Sequence, residues 1–350
     1  MSPKTKFPLY FPGSDCEINR SKSLVAADLR KDLSTLALYE CRDGEVHQTI
    51  EKTYNTSEFS SFSQLGRAFL DEINVQGIDK VSIAVPGPVI DFACETPNLP
   101  WKVEATVIKA DLKLEKVLLI NDLEATAYSL ADVYDSKFEI VHSSENRRRG
   151  NVAVIAPGNG LGEAGLFYDG TFLRPFATEG GHTEFSPRND SEVQFYQFLN
   201  KIYGIVTWEN VLSKQGLYNI YRFHRDIGRH EEESWLAEEL KNGDFTTVIA
   251  QAAKEKKSRL AKLTIQTFLE YLARECNSTV LKLKATGGLI ITGEITDIIS
   301  ELIDHQKFYK SFLISDRMEH LLKNIPIYVL HNNQGILEGA AFYGAFFEKN

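Results

Sequence analysis

The chain has 350 residues, a hydrophobic fraction of 43% and a formal net charge of −9. This length exceeds what one hydrophobic core usually supports, so we expect a folded protein with two lobes around a cleft. The acidic balance argues against a general nucleic-acid or membrane surface, and small molecules are therefore the expected partners.

The 4 cysteines are scattered along the chain and form no C-x-x-C pair. This spacing argues against a zinc site and against a disulfide framework. The first residues have no apolar signal-peptide region, and no apolar run approaches the roughly 18 residues that a membrane helix needs. We therefore expect a reduced, cytoplasmic protein that contacts neither nucleic acid nor membrane.

The N-terminal part of the chain predicts a sheet that begins with a hairpin. Residues 23–38 read as two strands that are joined by a turn at residues 30–32. Apolar residues spaced by three and four predict a helix with one buried face over residues 59–75. A buried strand over residues 81–85 follows and ends at the Pro-Gly-Pro sequence of residues 86–88.

Strands and helices then alternate, which is typical of a parallel or mixed α/β sheet. A strand over residues 116–120 leads into a helix over residues 123–133, and a strand over residues 152–156 restarts the pattern. Between them, residues 134–150 include the basic run Asn-Arg-Arg-Arg at 146–149. We interpret this stretch as an exposed loop or lobe connection, because charge runs usually face solvent.

The C-terminal half is predicted to be mostly helical. Helical patterns dominate residues 191–284, and a strand over residues 288–292 closes this block. A last strand over residues 325–330 precedes an Ala-rich helix over residues 335–347.

Asn121 and Asp122 lie where a buried strand opens into a helix. Asn or Asp at this point is commonly the residue that caps the helix N-terminus. A carboxylate at the carboxyl end of a strand also faces the crevice where open α/β sheets bind ligands, and there it can act as a general base. The roles can be divided, with Asn121 capping the helix and Asp122 reaching a ligand.

Gly158, Gly160 and Gly162 alternate directly after a predicted strand. Glycines at this spacing let backbone N–H groups approach phosphate oxygens closely. The same spacing is also typical of a tight β-hairpin turn. The glycines alone leave both interpretations open.

Glu179 and His182 flank two glycines, and a further acid, Glu209, follows downstream. A carboxylate and an imidazole at this spacing can reach the hydroxyls of a small polar ligand. Each has an ordinary alternative, since His182 can be a satisfied polar residue and Glu209 a first-turn carboxylate that the helix dipole favours. Their coincidence with Asn121 and Asp122 in one chain indicates a sugar site beside a phosphate site.

Together these segments resemble the bacterial-type glucokinases, ATP-dependent hexose kinases with a two-lobed actin-like (ribonuclease-H-like) α/β ATPase fold and a central cleft. The resemblance extends from about Val81 to near the C-terminus. It rests on an ordered set of motifs: Thr-Pro-Asn-Leu-Pro-Trp at 96–101, Ile-Asn-Asp-Leu-Glu-Ala at 120–125, Ala-Pro-Gly-Asn-Gly-Leu-Gly at 156–162, Glu-Gly-Gly-His-Thr-Glu-Phe-Ser-Pro at 179–187, Trp-Glu-Asn-Val-Leu-Ser-Lys-Gln-Gly-Leu-Tyr-Asn at 208–219 and Asn-Gln-Gly-Ile-Leu-Glu-Gly-Ala-Ala at 333–341. The related repressors and sugar kinases with a cysteine-rich zinc motif fit less well, because no cysteine follows the histidine segment until Cys276.

The resemblance implies a small α/β domain of residues 1–132 plus 331–350, a large α+β domain of residues 133–330, and a homodimer. Asp122 becomes the base that takes the proton of the glucose 6-hydroxyl. The residues implied to bind glucose or a related hexose are Asn98, Asn121, Asp122, Glu179, His182 and Glu209. Those implied to bind ATP are Asp28, Gly158, Asn159, Gly160, Gly287, Gly288 and Gly293, with Asp28 also implied as a ligand of Mg²⁺, which would bridge the nucleotide phosphates.

The chain departs from the family in the first phosphate loop. The family pattern is Asp-x-Gly-Gly-Thr-Asn-x-Arg, whereas residues 28–35 read Asp-Leu-Arg-Lys-Asp-Leu-Ser-Thr. Side chains at the glycine positions obstruct a phosphate unless Arg30 or Lys31 supplies charge in place of the lost N–H groups. Glu294 also replaces the second glycine of the adenosine motif.

Two hypotheses follow from this altered donor half. The protein is either an active glucokinase with modified donor binding or a catalytically weak homologue that binds sugar as a sensor or regulator. Retention of both Asp28 and Asp122 favours the enzyme.

Overall fold

The computed structural model describes residues 7–11, 22–42, 45–75, 77–78, 80–131, 133, 137–331 and 335–346. The strands are β1 (Lys22–Asp28), β2 (Leu33–Arg42), β3 (Glu45–Asn55), β4 (Lys80–Val85), β5 (Ala93–Cys94), β6 (Val103–Glu104), β7 (Lys116–Asn121), β8 (Phe138–His142), β9 (Val152–Pro157), β10 (Leu161–Tyr168), β11 (Leu173–Thr178), β12 (Gly288–Ile291) and β13 (Ile327–Leu330). The helices are α1 (Phe62–Ile73), α2 (Ala105–Leu112), α3 (Asp122–Ser129), α4 (Asp190–Tyr203), α5 (Lys214–Asp226), α6 (Ser234–Asn242), α7 (Phe245–Lys254), α8 (Arg259–Leu283), α9 (Glu294–Ile299), α10 (His305–Phe312), α11 (Glu319–Leu322) and α12 (Gly335–Phe346).

The chain divides into two compact units. Unit 1 comprises Met1–Asp135, Asp169–Ala177 and Asn333–Asn350, and unit 2 comprises Ser136–Tyr168 and Thr178–Asn332. Each unit therefore contains segments that are distant in sequence.

Unit 1 is built on a sheet with the strand order β3-β2-β1-β4-β7. β1 and β2 pair antiparallel, which confirms the predicted hairpin. β1, β4 and β7 run parallel, with Asp28 opposite Ala84 and Val85 opposite Asn121. Because parallel strands end at the same edge, the residues that follow these three strands lie close together.

The two faces of this sheet carry different helices, as the alternation of side chains along a strand requires. Val25, Ile83 and Leu119 belong to a buried cluster that also contains residues of α1 and α2. The opposite face packs against α12. There Gly344 lies against Ser82, and a Cβ at this position would be only 2.8 Å from the serine Cβ.

The packing of α12 on α3 also depends on a glycine. A Cβ on Gly339 would overlap the backbone carbonyl of Ala125 in α3. The two helices are therefore in contact through their backbones, and a larger residue at 339 would push them apart.

In unit 2, neighbouring strands follow the order β10-β9-β12-β13-β8. β9, β12 and β13 run parallel, whereas β10 and β8 are antiparallel to their neighbours. Helices from α4 to α8 supply most of the core on this sheet, as the periodicity predicted. The longest is α8, which Ser258 caps through a hydrogen bond from the Ala261 N–H and which ends at Lys284 with a φ of 48°.

One prediction about this region is partly wrong. Residues 134–150 were expected to form an exposed loop or lobe connection, and the boundary between the two units falls in this stretch, but Phe138–His142 is strand β8, paired with β13. Phe138 and Val141 are buried in this strand, whereas the apolar Ile140 is exposed, so the short edge strand has no regular pattern. The basic run at 146–149 is exposed, as expected.

None of the helices formed by the described residues combines the length and the apolarity needed to cross a membrane.

Candidate active site

The carboxyl edge of the unit 1 sheet holds several of the predicted site residues. Asp28 ends β1, Asn121 ends β7, and Pro86 and Gly87 follow β4 between them. The structure therefore places the predicted base and the predicted metal ligand at the ends of parallel strands in one sheet.

Asn121 is the residue that caps α3. Its side-chain oxygen accepts hydrogen bonds from the N–H groups of Leu123 at 2.9 Å and Glu124 at 3.2 Å, and its Nδ2 donates to the carbonyl of Gly87 at 3.2 Å. The buried amide thus ties the helix start to the end of β4. Of the alternatives left open by the sequence, the structure supports a cap at Asn121.

Asp122 is the first residue of α3 and is half-buried. Its Oδ1 accepts a hydrogen bond from the Leu123 N–H at 2.9 Å. The positive end of a helix dipole stabilises a carboxylate at this position. The fold therefore holds an anionic group at the edge where open α/β sheets bind their ligands.

Asn98 lies in an exposed turn that is attached to the same edge. Its N–H donates to the hydroxyl of Thr96 at 3.2 Å, and that hydroxyl donates to the carbonyl of Pro86 at 3.2 Å. Through Pro86 and Gly87, the turn of Asn98 is connected to Asn121. Three predicted sugar-binding residues of unit 1 are thus gathered in one place.

Asp28 is engaged by a side chain from the altered first loop. Arg30 donates to Asp28 Oδ2 from Nε at 2.9 Å and from Nη2 at 2.8 Å. The carbonyl of Arg30 is held by the hydroxyl of Thr56 at 2.7 Å. The arginine that the sequence suggested as a phosphate ligand therefore pairs with the predicted metal ligand.

In unit 2, the glycine-rich segment forms the turn of a β-hairpin. β9 and β10 pair antiparallel with Pro157 opposite Leu161, so residues 158–160 make the connection. The Gly158 carbonyl accepts a hydrogen bond from the Lys214 N–H at 2.8 Å. A Cβ on Gly158 would meet no atom within 4 Å, so the backbone there borders open space. A phosphate can therefore approach this turn closely. The two interpretations that the sequence left open, a phosphate-binding loop and a tight β-hairpin turn, are thus compatible.

The glycines between Glu179 and His182 are explained by packing on β10. Gly180 and Gly181 belong to a single turn of 3₁₀ helix, Gly180–His182. A Cβ on Gly180 would collide with the Glu163 carboxylate, and one on Gly181 would collide with the Leu161 carbonyl. Because the two glycines lie flat on the strand, Glu179 and His182 are exposed on either side of them.

Glu209 connects this turn with the glycine hairpin. Its N–H donates to the Gly181 carbonyl at 2.9 Å, and its Oε2 accepts a hydrogen bond from the Leu161 N–H at 3.0 Å. A Cβ on Gly160 would collide with the same carboxylate. Unit 2 therefore brings the predicted phosphate turn and three predicted sugar ligands, Glu179, His182 and Glu209, into one cluster.

A buried arginine that the sequence did not reveal stabilises this cluster. Arg274 of α8 donates from Nη1 to Glu192 Oε2 at 2.6 Å and also donates to the carbonyl of Ser186. The centre of its guanidinium group is 5.1 Å from the ring centroids of Phe185 and of Trp208. It thereby fixes the segments that precede Glu209 and follow His182.

The predicted adenosine-binding glycines do not all lie near the hairpin turn. Gly293 packs on the end of β9 with a φ of 97°, and a Cβ there would be 2.8 Å from the Pro157 carbonyl. Gly288 pairs with Val152 at the other end of β9. In extended chain at roughly 3.3 Å per residue, Gly288 and Gly293 are about 16 Å apart. Gly287 lies beside Gly288, against the carbonyl of Gly150.

Glu294, the residue that replaces a glycine, is held by a cation. Lys214 Nζ lies 2.6 Å from Glu294 Oε1, beside the backbone bond from Lys214 to Gly158. The pair therefore lies next to the hairpin turn. It neutralises the carboxylate that was expected to oppose a phosphate.

Comparison with known proteins identifies the family. The glucokinase family model matches residues 25–346. The glucokinase of Nostoc punctiforme is 30% identical over 336 residues, which cover 92% of this chain and 98% of that protein.

Solved structures confirm the predicted actin-like α/β fold. A glucokinase from an Antarctic psychrotroph has a TM-score of 0.77 at 21% identity and covers 93% of this chain and 99% of its own. The glucokinase of Balamuthia mandrillaris in complex with glucose has a TM-score of 0.75 at 19% identity, covering 93% and 94%. The motifs, the family model and the relative that matches along nearly its whole length agree, and the chain belongs to the glucokinase family.

Proposed function

We propose that this protein is a glucokinase that transfers the γ-phosphate of ATP to the 6-hydroxyl of glucose. The observation that carries the proposal is the division of roles at the start of α3. Asn121 supplies the cap of the helix, and the Asp122 carboxylate lies in its first turn, where the helix dipole favours an anionic base.

In the proposed reaction, Asp122 accepts the proton of the sugar hydroxyl as its oxygen bonds to the γ-phosphorus. The bond from that phosphorus to the β,γ-bridging oxygen breaks, and ADP leaves. A loose phosphoryl-transfer transition state requires positioning more than covalent help. The rigid attachment of Asn121 to Gly87 supplies such positioning, because it fixes the first turn of the helix that carries Asp122.

The proposed sugar ligands form one group in each unit. Asn98, Asn121 and Asp122 belong to unit 1, and Glu179, His182 and Glu209 belong to unit 2. These side chains offer directional hydrogen bonds, and a site built in this way rejects sugars that leave its polar groups unpaired. Backbone bonds between Gly181 and Glu209 support the proposal, since they keep the unit 2 ligands in a fixed arrangement.

For the donor, we propose that the turn of Gly158, Asn159 and Gly160 receives phosphates and that Gly293 borders the adenosine. The open space at Gly158 fits a phosphate group. We assign no nucleotide contact to Gly287 and Gly288, because they lie at the other end of β12. Lys214 adds a positive charge beside the turn.

The residues also fit Mg²⁺, since carboxylate oxygen is the type of ligand that this ion prefers and Asp28 lies at the same strand edge as Asp122. When bound with the nucleotide, Mg²⁺ supplies charge neutralisation on the phosphates. Arg30 competes for Asp28 Oδ2, so this ion pair opposes metal binding at Asp28.

That competition favours a second candidate function, a sugar-binding sensor with little turnover. One experiment separates the two candidates: a coupled assay of the purified protein with glucose and ATP, ADP, GTP or polyphosphate, together with calorimetric titration of glucose. Phosphorylation from ATP supports the kinase. Glucose binding without phosphorylation from any donor supports the sensor, and absence of glucose binding contradicts both. Sedimentation of the same sample tests the predicted homodimer.

A further inference from the structure

Two acidic side chains are buried behind the proposed sugar ligands of unit 2. Glu163 on β10 is 4% exposed and Glu275 on α8 is fully buried. Among the residues that the structure describes, no donor reaches Glu163 Oε1 or Glu275 Oε2, and both oxygens are shielded from solvent. An unpaired buried carboxylate oxygen is strongly destabilising, so this arrangement requires an explanation.

The remaining oxygens have few partners. The Thr279 hydroxyl lies 3.1 Å from Glu163 Oε2, and it also lies 2.9 Å from the backbone carbonyl of Glu275. Lys282 Nζ lies 3.3 Å from Glu275 Oε1. The hydroxyl of Thr279 beside Glu163, the hydroxyl of Ser278 beside Glu275 and one half-exposed ammonium do not compensate for two buried negative charges.

Protonation explains the pair. Burial raises the pKa of Glu163, and burial together with the charge of Glu163 raises the pKa of Glu275 to about 8. At neutral pH the two carboxyl groups therefore hold a proton that isolated glutamates would release. Two carboxylates, one proton between them and the ammonium group of Lys282 together carry no net charge.

We propose that Glu163 and Glu275 share one proton between their otherwise unpaired oxygens, and that this acid pair positions Glu179 and His182 for sugar binding. The positioning role rests on the proposed function, whereas the shared proton does not. Both glutamates are positioning residues, because they act through the segment that they support.

The route from the pair to the sugar ligands is short. Gly180 lies directly on the Glu163 carboxylate, with no room for even a Cβ. The hydroxyl of Thr178, two residues earlier, donates to the Glu163 backbone carbonyl at 2.9 Å. If the pair loses its proton, the two carboxylates repel each other. Because Gly180 lies against the Glu163 carboxylate, a displacement of this carboxylate would shift the turn that carries Glu179 and His182.

Other ionisable groups that interact with the pair include Lys282, Cys276 and Arg188. On α8, the positive charge of Lys282 lowers the pKa of both glutamates. Burial raises the pKa of the Cys276 thiol, and the charges of Glu275 and Glu163 raise it further. Burial lowers the pKa of Arg188, the charge of Arg274 lowers it further, and the charges of Glu192 and Glu275 oppose this shift. Lys282 is therefore a cation that acts on both glutamates, and Glu275 ionises just above neutral pH, with a pKa of about 8.

The test compares the wild type with Glu275→Gln, which keeps the shape of a protonated acid but cannot ionise. Glu270→Gln, on the same helix and outside the pair, is the matched control. Calorimetric titration gives the glucose Kd from pH 7 to 9. If only the protonated pair holds the turn correctly, the wild-type Kd rises about tenfold at pH 9, in proportion to the loss of the protonated form.

We expect the Glu270→Gln control to follow the wild type and Glu275→Gln to give a Kd that does not change with pH. At saturating glucose, kcat should change little in either variant. A wild-type Kd that is constant from pH 7 to 9, or a Glu275→Gln variant that keeps the wild-type pH profile, overturns the positioning role.

The shared proton has its own measurement, which works even if glucose does not bind. A pKa that folding raises makes the folded protein lose stability as pH rises from about 4.5 to 8, because the folded state binds more protons in that window. The free energy of unfolding of the wild type should fall there more than that of Glu275→Gln. If Glu275→Gln fails to fold, Glu163→Gln takes its place in both measurements. Equal pH dependence in wild type and variant removes the shared proton, and absence of glucose binding at every pH contradicts the proposed function instead.

Discussion

Lys214 and Glu294 form an ion pair, with 2.6 Å between Nζ and Oε1, although 80 residues separate them in the sequence. Each stands at the start of a helix, Lys214 in α5 and Glu294 in α9. A lysine is unfavourable at this end of a helix, since the helix dipole is positive there. The pairing with Glu294 and the position beside Gly158 give the cation a role at the proposed donor turn.

Replacement of Lys214 by alanine should raise the KM for ATP about tenfold, which corresponds to the loss of a hydrogen bond to a charged group. The change also leaves Glu294 without its cation near the phosphates. Initial rates at saturating glucose measure the effect. The double variant with Glu294→Gly should recover part of the loss, and a simple sum of the two single effects would show that the residues act independently.

The altered first loop gives a second prediction. The wild type should bind ATP weakly, with a KM at or above about 1 mM, because side-chain charge replaces preorganised N–H groups. This KM should rise with ionic strength. Arg30→Gly should lower it by releasing Asp28, whereas Lys31→Gly, in the same turn, should have a smaller effect. A tight ATP site that is insensitive to salt in the wild type would contradict this explanation.

Asp122→Asn should lower kcat by at least about 10²-fold, the usual effect of losing a general base, since the amide cannot accept the proton. Glucose affinity should stay close to that of the wild type, because the change preserves the size of the side chain. Single-turnover rates and calorimetry separate the two quantities. Asp111→Asn, an exposed site on α2, serves as the control. Normal turnover in Asp122→Asn would reduce Asp122 to a structural residue.

Truncation of the unit 2 sugar ligands should separate binding from stability. Glu179→Ala and His182→Ala should weaken glucose binding without changing the melting temperature, because both side chains are exposed. Glu209→Ala should weaken glucose binding and also lower the melting temperature, since it leaves the Leu161 N–H without its acceptor, at a cost of about 1–3 kcal/mol. Calorimetry and thermal unfolding measure the two effects, with Glu184→Ala as the control. Unchanged affinity in all three variants would remove the sugar assignment.

The sequence predicted the elements with strong periodicity and clear ends. The hairpin of β1 and β2, the helix α1 and the strand β7 all agree with the structure, because their signals are local. β8 was missed, since a five-residue edge strand beside a charge run has little pattern of its own.

The candidate site residues were predicted from motifs, but the packing reasons for the glycines among them were not. Gly180 and Gly181 are required by contacts with Glu163 and Leu161, which precede them by some 20 residues and belong to another strand. The roles of Arg274 and Glu275 depend on contacts with segments that lie far away in sequence. No local pattern on α8 distinguishes such residues from an ordinary amphipathic helix.

The contact between Gly339 and Ala125 also has a consequence for how the protein is made. The helix that begins with Asp122 packs on α12, yet the ribosome adds residues 335–346 only after it has translated every residue of unit 2. Domains usually fold in the order in which they are synthesised. In this chain, the surface of unit 1 that packs on α12 stays uncovered until residues 335–346 are synthesised, and unit 2 can finish folding first.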